Sequence, residues 1–419
     1  MKSATCIVGI GVLAFAGMLA GAAQAADTSF ATIERGRNLV NAGDCVACHT
    51  QKDGGRSFAG GRAIETPFGI IYSPNITPDP ETGIGAWSDE DFYRALHEGR
   101  RPDGTRLYPA FPYPYFTKMT RDDVMAIRAY LNTLPAVKNR RREAALTWPL
   151  NHRTVMRGWD WMFFKPGAFK PDPNKSAEWN RGAYLVQGAG HCGACHTPKN
   201  ALGGDKTDQA LQGGAVQNWF APKIAGNMRD GTGAWSVDDI VEYLKTGRNK
   251  HSGTAGLMAE VVQDSTSKLP DTDLKAIATY IKDVDGGPNP PPPPEREKSD
   301  PKTVAGAAIF ADSCSACHAP DGKGVPHMFP PLEHNANVQQ RDPTTVIRVI
   351  LQGAQTAATD AKPTPFAMPA FNWKLKDDQI AAVATYVRNA WGNHAPPVDP
   401  GQVRDMRQKL KKDRAGGGS

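Results

Sequence analysis

The sequence Cys45-Val46-Ala47-Cys48-His49 decides the fold of this chain, and its pattern recurs as Cys192-Gly193-Ala194-Cys195-His196 and Cys314-Ser315-Ala316-Cys317-His318. Cys-x-x-Cys-His is the attachment signature of c-type haem. Residues at i, i+3 and i+4 share one face of a helical turn, so two thiols and one imidazole can meet one porphyrin. With 7 Cys and 10 His in 419 residues, chance would give only about a few thousandths of one such motif.

The motifs predict three covalently bound haem c groups. In each motif the two thiols form thioethers with the porphyrin, and the imidazole becomes the proximal iron ligand. The residues assigned to attachment are Cys45, Cys48, Cys192, Cys195, Cys314 and Cys317, and those assigned to the irons are His49, His196 and His318. The seventh cysteine, Cys6, lies near the N-terminus, so no thiol of the later sequence is left for a disulfide.

The N-terminus has the composition of a secretory signal. Lys2 gives it a positive end, residues 7–19 are mostly apolar, and Ala23-Gln24-Ala25 is a small-residue cleavage site. We therefore predict a signal peptide over residues 1–25 and a periplasmic protein, because bacteria attach c-type haem outside the cytoplasm. No later segment has enough consecutive apolar residues to span a bilayer. The haem propionates would roughly cancel the formal charge of +6, so nucleic acid is not an expected partner.

The three motifs belong to three repeats, each with a helix before the motif and a helix at its end. The first helix carries a glycine (Gly36, Gly182 or Gly306), and the last carries an aromatic residue, as in Ala129-Tyr130-Leu131. This combination is typical of crossing helices whose backbones approach closely. The pattern predicts an all-α fold with three domains, at residues 26–140, 176–285 and 303–395.

Three segments lie outside these domains. Residues 141–175 are rich in Trp and Phe, so we expect them to pack against the first two domains or to expose a docking surface for a partner. Residues 286–302 contain five consecutive prolines, Pro290 to Pro294, and predict a stiff linker. Residues 396–419 form a basic tail that is either disordered or a short amphipathic helix. Its last residues, 415–419, resemble an added flexible linker.

A haem that only passes electrons is usually six-coordinate, and methionine is its commonest distal ligand. We expect that methionine on a loop between the haem motif and the closing helix. In the second and third domains, Met258 and Met368 fit this position better than the earlier methionine of either domain. In the first domain we predict Met119, with His97 or an open coordination position as alternatives.

Further motifs carry a family resemblance across nearly the whole mature chain. They are Tyr108-Pro109-Ala110-Phe111-Pro112-Tyr113, two Gly-Ala-Trp-Ser segments, Trp148-Pro149-Leu150-Asn151 and Met258-Ala259-Glu260-Val261-Val262. In these motifs the chain resembles the triple-haem cytochrome c subunits of bacterial membrane-associated dehydrogenases of the alcohol, gluconate, sorbitol and fructose type. The resemblance implies three tandem class I cytochrome c-like domains with little or no β-sheet. Relatives often carry methionine where Phe111 stands here, so Met119 must substitute for it or the first haem differs.

The resemblance also implies an electron-transfer subunit with no catalytic residues of its own. Its partner would be a catalytic dehydrogenase subunit, either a quinoprotein, a flavoprotein or a molybdoprotein, with peripheral contact to the outer face of the cytoplasmic membrane. Electrons would pass through the three haem c groups to ubiquinone or a terminal oxidase. Two other functions stay open: a peroxidase-like haem enzyme, which needs an open distal site, and a free periplasmic electron carrier.

Overall fold

The computed structural model describes residues 27–416, apart from 53, 141, 288–290, 295, 296 and 298, together with Met1. Except for Met1, the predicted signal peptide lies outside the described residues. The described chain forms three helical domains that follow one another along the sequence. Each domain begins with a long helix, carries its haem motif in a short helical turn and has a closing helix that packs on the first.

The first domain and the segment after it contain six helices and one small sheet in the described residues. The domain elements are α1 (Phe30–Ala42), α2 (Cys45–Cys48), β1 (Ala63–Thr66), β2 (Gly69–Tyr72), α3 (Asp89–Glu98), α4 (Tyr113–Phe116) and α5 (Arg121–Leu131). The segment adds β3 (Ala145–Leu146), a 3-10 turn at Arg153–Val155 and α6 (Met156–Phe163). The strands pair antiparallel in the order β1-β2-β3.

The second and third domains repeat this plan. The second contains α7 (Ala177–Gln187), α8 (Gly193–His196), β4 (Gly214–Val216), β5 (Trp219–Ala221), α9 (Val237–Thr246), α10 (Leu257–Asp264) and α11 (Asp271–Asp283), with 3-10 turns at Thr207–Gln209 and Thr266–Lys268. The third contains α12 (Pro301–Ser313), α13 (Ser315–His318), α14 (Ala336–Gln339), α15 (Thr344–Gln352), β6 (Ala354–Gln355), β7 (Ala367–Met368), α16 (Asp377–Val387) and α17 (Pro400–Gly416). Helices dominate and the strands are short, which confirms the predicted fold class.

The first and closing helices of each domain cross at the predicted glycine. A Cβ atom at Gly36 would lie 1.9 Å from the carbonyl oxygen of Ala126, and one at Gly182 would lie 1.9 Å from that of Ala276. At Gly306 the corresponding distance is 2.3 Å. Side-chain carbons do not approach oxygen this closely, so only glycine allows the two backbones to come together. The predicted close crossing is therefore confirmed in all three domains.

The Gly-Ala-Trp-Ser segments start the middle helices of the first two domains. Ser88 accepts a hydrogen bond from the backbone N–H of Asp91, and the Asp91 carboxylate accepts one from the backbone N–H of Ser88. Ser236 and Asp239 form the same capping box at α9. These bonds satisfy amide groups that a helix start leaves unpaired. Because both helices begin at the same motif, α3 and α9 share one residue register.

The segment 141–175 packs against both neighbouring domains. The Tyr113 hydroxyl of the first domain donates to the carboxylate of Asp160 in α6, at 2.5 Å. On the other side, the indole Nε1 of Trp159 donates to the carbonyl oxygen of Leu202 in the second domain, at 3.0 Å. The expected packing is confirmed for these residues, and the segment connects the two domains through its short helix.

The basic tail forms α17, and most of it belongs to the third domain. Val403, Met406 and Leu410 lie on one face of the helix and are buried in a core cluster with residues of α15 and α16. Arg407 adds an ion pair from its Nε to Asp377, at 2.9 Å. Disorder was the first of our two expectations, and the structure supports the second. The apolar face of this helix is used inside the protein, so it is not free to lie on a membrane.

The second domain contacts both of its neighbours. One hydrophobic cluster runs through the first and second domains, while the third domain has clusters of its own. Glu260 of the second domain pairs with Arg62 of the first at 2.6 Å, and Asn335 of the third donates to the carbonyl oxygen of His251 at 3.0 Å. Among the described helices, none has the length and apolar character needed to cross a membrane.

Candidate haem sites

The three motifs are folded as helical turns. The backbone N–H of the motif histidine donates to the carbonyl oxygen of the first cysteine, four residues earlier, in each domain: His49 to Cys45 at 2.9 Å, His196 to Cys192 at 3.0 Å and His318 to Cys314 at 3.0 Å. This bond is the i to i−4 bond of an α-helix. It places the two cysteines and the histidine on one side of the turn, as the spacing predicts.

A proline carbonyl holds each motif histidine in one orientation. Nδ1 of His49 lies 2.7 Å from the carbonyl oxygen of Pro74, and Nδ1 of His196 lies 2.7 Å from that of Pro222. His318 makes the same kind of contact at 3.1 Å. A carbonyl oxygen can only accept, so Nδ1 carries the hydrogen and Nε2 keeps the lone pair that a metal ligand needs. The three histidines are thus prepared as ligands by a repeated feature of the fold.

These histidines are also kept neutral. Burial lowers the pKa of His49 and of His196, and their hydrogen bonds to the proline carbonyls oppose this only in part. The pKa of His318 is lowered in the same way. Neutral imidazole is the form that ligates a metal, so the lowered pKa favours the form that each site would need.

One continuous, largely apolar cavity of about 450 Å³ reaches the motifs of both the second and the third domain. Its walls include both cysteines and the histidine of each of these motifs, and also Met258 and Met368. Met258 lies in the first turn of α10 and Met368 in β7, so both belong to regular elements rather than to the predicted loops. The second-domain half offers two thiols, one imidazole and one thioether, and the third-domain half adds a second thioether from Met328. Both donor sets fit a haem c.

The first motif abuts this cavity from the other side. Ala42 and Asp44, within three residues before Cys45, line the same cavity as Cys192 and Cys195. Asp44 is buried, and burial raises the pKa of its carboxyl well above the usual range. The motif of the first domain is therefore separated from the haem site of the second domain by only a few residues.

A family model described as cytochrome c matches residues 33–135, 180–285 and 303–391, one segment in each domain. This chain belongs to the cytochrome c family. It is 41% identical over 411 residues to the cytochrome c subunit of a quinone-linked alcohol dehydrogenase of Gluconobacter oxydans, covering 92% of this chain and 84% of the relative. It is 38% identical over 413 residues to the gluconate 2-dehydrogenase cytochrome c subunit of Pantoea cypripedii, covering 94% and 92%.

A third relative is the fructose dehydrogenase cytochrome subunit of Gluconobacter japonicus, 36% identical over 406 residues, with 90% of this chain and 82% of the relative covered. The predicted resemblance to dehydrogenase cytochrome c subunits is confirmed by these comparisons. As a cytochrome c, the chain carries covalently bound haem c. The relatives are electron-transfer subunits, and catalysis belongs to other chains of their complexes.

Sequence reasoning missed the proline carbonyls that orient the histidines of this cytochrome c. A signal for them exists in the first two repeats, where Ser73-Pro74-Asn75-Ile76 and Ala221-Pro222-Lys223-Ile224 follow their motifs at nearly equal distances. The backbone carbonyl oxygen accepts the hydrogen bond, and every residue type has one. The presence of proline alone therefore gave no reason to assign these residues a role. Trp235 is partly buried against the core and also lines the cavity.

Met119, the predicted distal ligand of the first haem, lies in the protein core and stays a prediction in that role. Met119 is 1% exposed and belongs to the core cluster shared by the first two domains. Its Cγ lies 3.8 Å from where a Cβ atom would stand on Gly188, at the end of α7 in the second domain. The side chain is therefore packed at the boundary between the domains, whereas Met258 and Met368 line a haem cavity.

Proposed function

We propose that this chain relays electrons from a catalytic dehydrogenase subunit, through three haem c groups, to ubiquinone or a terminal oxidase at the outer face of the cytoplasmic membrane. The catalytic subunit would be a quinoprotein, a flavoprotein or a molybdoprotein. The attachment residues are Cys45, Cys48, Cys192, Cys195, Cys314 and Cys317, and the proximal ligands are His49, His196 and His318. The observation that carries the proposal is the arrangement of these motifs around the second domain.

The second domain links the haem sites into one path. Its cavity continues into that of the third domain, and the residues before Cys45 line it from the first domain. Short bonds fix the first contact, because Arg62 donates both to the Ala47 carbonyl within the motif and to Glu260, each at 2.6 Å. Electron transfer between haems depends on close and fixed approach, and these contacts hold the first and second sites together.

Met258 and Met368 would be the distal ligands of the second and third haems. Thioether ligation raises the potential of a haem, because sulfur favours ferrous iron. Replacing either residue by leucine should therefore lower one of the measured potentials and leave the others in place. Met228, which is 65% exposed, provides the matched control, and its leucine variant should titrate like the wild type. An unchanged titration in M258L or M368L would contradict the assignment.

The connecting segment supplies a candidate docking surface for the catalytic subunit. Trp148 and Trp161 are 79% and 86% exposed. Leu202, 54% exposed, lies beside α6 through the bond from Trp159. Contact of large apolar side chains with water is unfavourable in free energy, so such side chains often mark interaction sites. Tryptophan is among the residues that contribute most to the binding free energy at interfaces. We place the dehydrogenase contact here.

The function is tested in the assembled dehydrogenase complex. Addition of the dehydrogenase substrate should reduce all haems of this chain, as seen in their visible absorption. The W161Q variant should lose co-purification with the catalytic subunit and substrate-driven haem reduction, while W373Q, changed at another tryptophan that is 80% exposed, should keep both. Haems that stay oxidised in the wild-type complex would refute the relay. Equal behaviour of the two variants would refute only the docking surface.

A further inference from the structure

The closing helices of the three domains allow corresponding residues of the repeats to be compared. Helices α5, α11 and α16 begin after the N-cap residues Thr120, Pro270 and Lys376. The residue directly before each N-cap is Met119, Leu269 or Leu375, and all three are buried, at 1%, 3% and 7% exposure. Leucine cannot bind iron. Leu269 also lines the cavity at the second motif. Met119 thus occupies a position that holds a buried apolar side chain, and no iron ligand, in the other two domains.

The contacts of Met119 agree with this register. The backbone N–H of the next residue, Thr120, donates to the Tyr184 hydroxyl of α7 at 3.1 Å, and Tyr184 also donates to Asp123 of α5. These bonds hold α5 against the second domain at the point where Met119 meets Gly188. Met119 therefore helps to seal the boundary between domains.

Phe111 stands where the third domain has its proposed distal ligand. The local sequences are Ala110-Phe111-Pro112 and Ala367-Met368-Pro369, and each precedes its closing helix by a similar length of chain. Phe111 is half-buried, as Met368 is, and its ring packs edge-on against Phe116 with centroids 5.3 Å apart. A phenyl ring has no lone pair to give to iron. The first domain thus places a bulky apolar group in the position of a ligand.

The same comparison of helices excludes two other side chains of the first domain as distal ligands. His97 of α3 matches Lys245 of α9, whose Nζ lies 3.0 Å from Asp271 at the start of the closing helix. The ring of His97 stacks on Tyr93, with centroids 4.9 Å apart. Met125 of α5 matches Lys275 of α11, a side chain that is 61% exposed. Neither position belongs to the haem-facing side of its helix in the second domain.

We propose that the haem of the first domain has no methionine ligand and that Phe111 covers its distal face. The sixth coordination position is then open to a small neutral ligand of the carbon monoxide or nitric oxide class, while the second and third haems are closed by Met258 and Met368. The inference rests on haem attachment at Cys45 and Cys48, as in the proposed function, but it does not depend on the dehydrogenase partner. It gives the first haem a chemistry that the other two lack.

Carbon monoxide titration of the reduced, fully haem-loaded chain tests this. The haem count of each preparation is first fixed by intact mass, which separates a failure of attachment from a failure of this inference. The wild type should bind about one carbon monoxide per chain. F111M should bind none and should gain the long-wavelength absorption band of a ferric haem with a methionine ligand, because a sulfur now reaches the iron.

M119L is the matched control, since it converts Met119 to the residue that the other two domains have in this position. It should bind carbon monoxide as the wild type does, with unchanged haem potentials. A wild type that binds no carbon monoxide would overturn the open position. Binding that appears only in M119L would return the ligand role to Met119, and binding that persists unchanged in F111M would show that Phe111 is not over the iron.

Discussion

Replacing Gly182 by alanine tests the helix crossing on which each domain depends. The new Cβ atom would stand 1.9 Å from the carbonyl oxygen and 2.5 Å from the carbonyl carbon of Ala276, and 2.9 Å from the Cβ of Tyr280. The two nearest atoms are backbone, so no side-chain rotation can relieve the contact. To reach an ordinary separation, α7 and α11 would have to part by about 1 Å or more.

The expected cost follows from two opposing terms. Overpacking a well-packed contact costs about 1 to 3 kcal/mol, and a clash between two backbones belongs at the upper end of that range. Alanine regains about 1 kcal/mol over glycine in a helix. The net loss in the free energy of unfolding should therefore be about 2 kcal/mol. Because α7 leads directly into the second haem motif, the loss should also loosen that haem site.

The measurement is urea denaturation of the haem-loaded chain, followed by far-ultraviolet circular dichroism, with the Soret dichroism as a probe of the haem environment. The control is G158A in α6, where a Cβ atom would meet nothing within 4 Å. This variant should be neutral or up to about 1 kcal/mol more stable. If G182A unfolds at the same urea concentration as G158A, the close crossing does not exist and the packing argument fails.

Two further predictions concern charged side chains that are held by hydrogen bonds. Arg388 is fully buried and donates to four backbone carbonyl oxygens of the third domain. Since R388M leaves these acceptors unpaired, it should cost about 3 kcal/mol or more in urea denaturation, whereas R404M, at an exposed position, should cost almost nothing. Burial raises the pKa of Glu260, but hydrogen bonds from Lys52 and Arg62 outweigh it and the net pKa is lowered. Its stabilising effect is therefore present above the ordinary pKa of 4.5 and is lost as the pH falls through the lower folded value. E260Q should be less stable than the wild type at pH 7 by about 1 to 2 kcal/mol, and that difference should shrink in acid; a constant difference would contradict the linkage.

Much of this protein could be predicted from short sequence patterns because they act locally. The Cys-x-x-Cys-His motif needs one helical turn, and the capping box at Ser88 needs four residues, so neither depends on distant parts of the chain. The helical glycines were also recognisable, since their repetition in three domains implied a shared contact. The fold class and the proximal ligands therefore rest on information within a few turns of each residue.

The distal side of the first haem could not be predicted in this way. Met119 and Phe111 lie a few residues apart on the chain segment before the closing helix. Of the two, only methionine has a sulfur atom that can bind iron, so residue type alone favours Met119 as the ligand. The register of α5 against α11 and α16, and the contact with Gly188 in another domain, place Met119 in the core. A distal ligand is chosen by the direction of a side chain, and that direction is fixed by long-range packing.

The C-terminal helix and the joining of the domains show the same limit. A basic segment with apolar residues at helical spacing has the same pattern on a membrane, in solution against a partner, or folded back on its own domain. The sequence determined that α17 has an apolar face, and only the tertiary structure provided the groove between α15 and α16 that buries Val403 and Met406. Periodicity specifies which side chains seek burial, but the surface that buries them is built by residues far away in the chain.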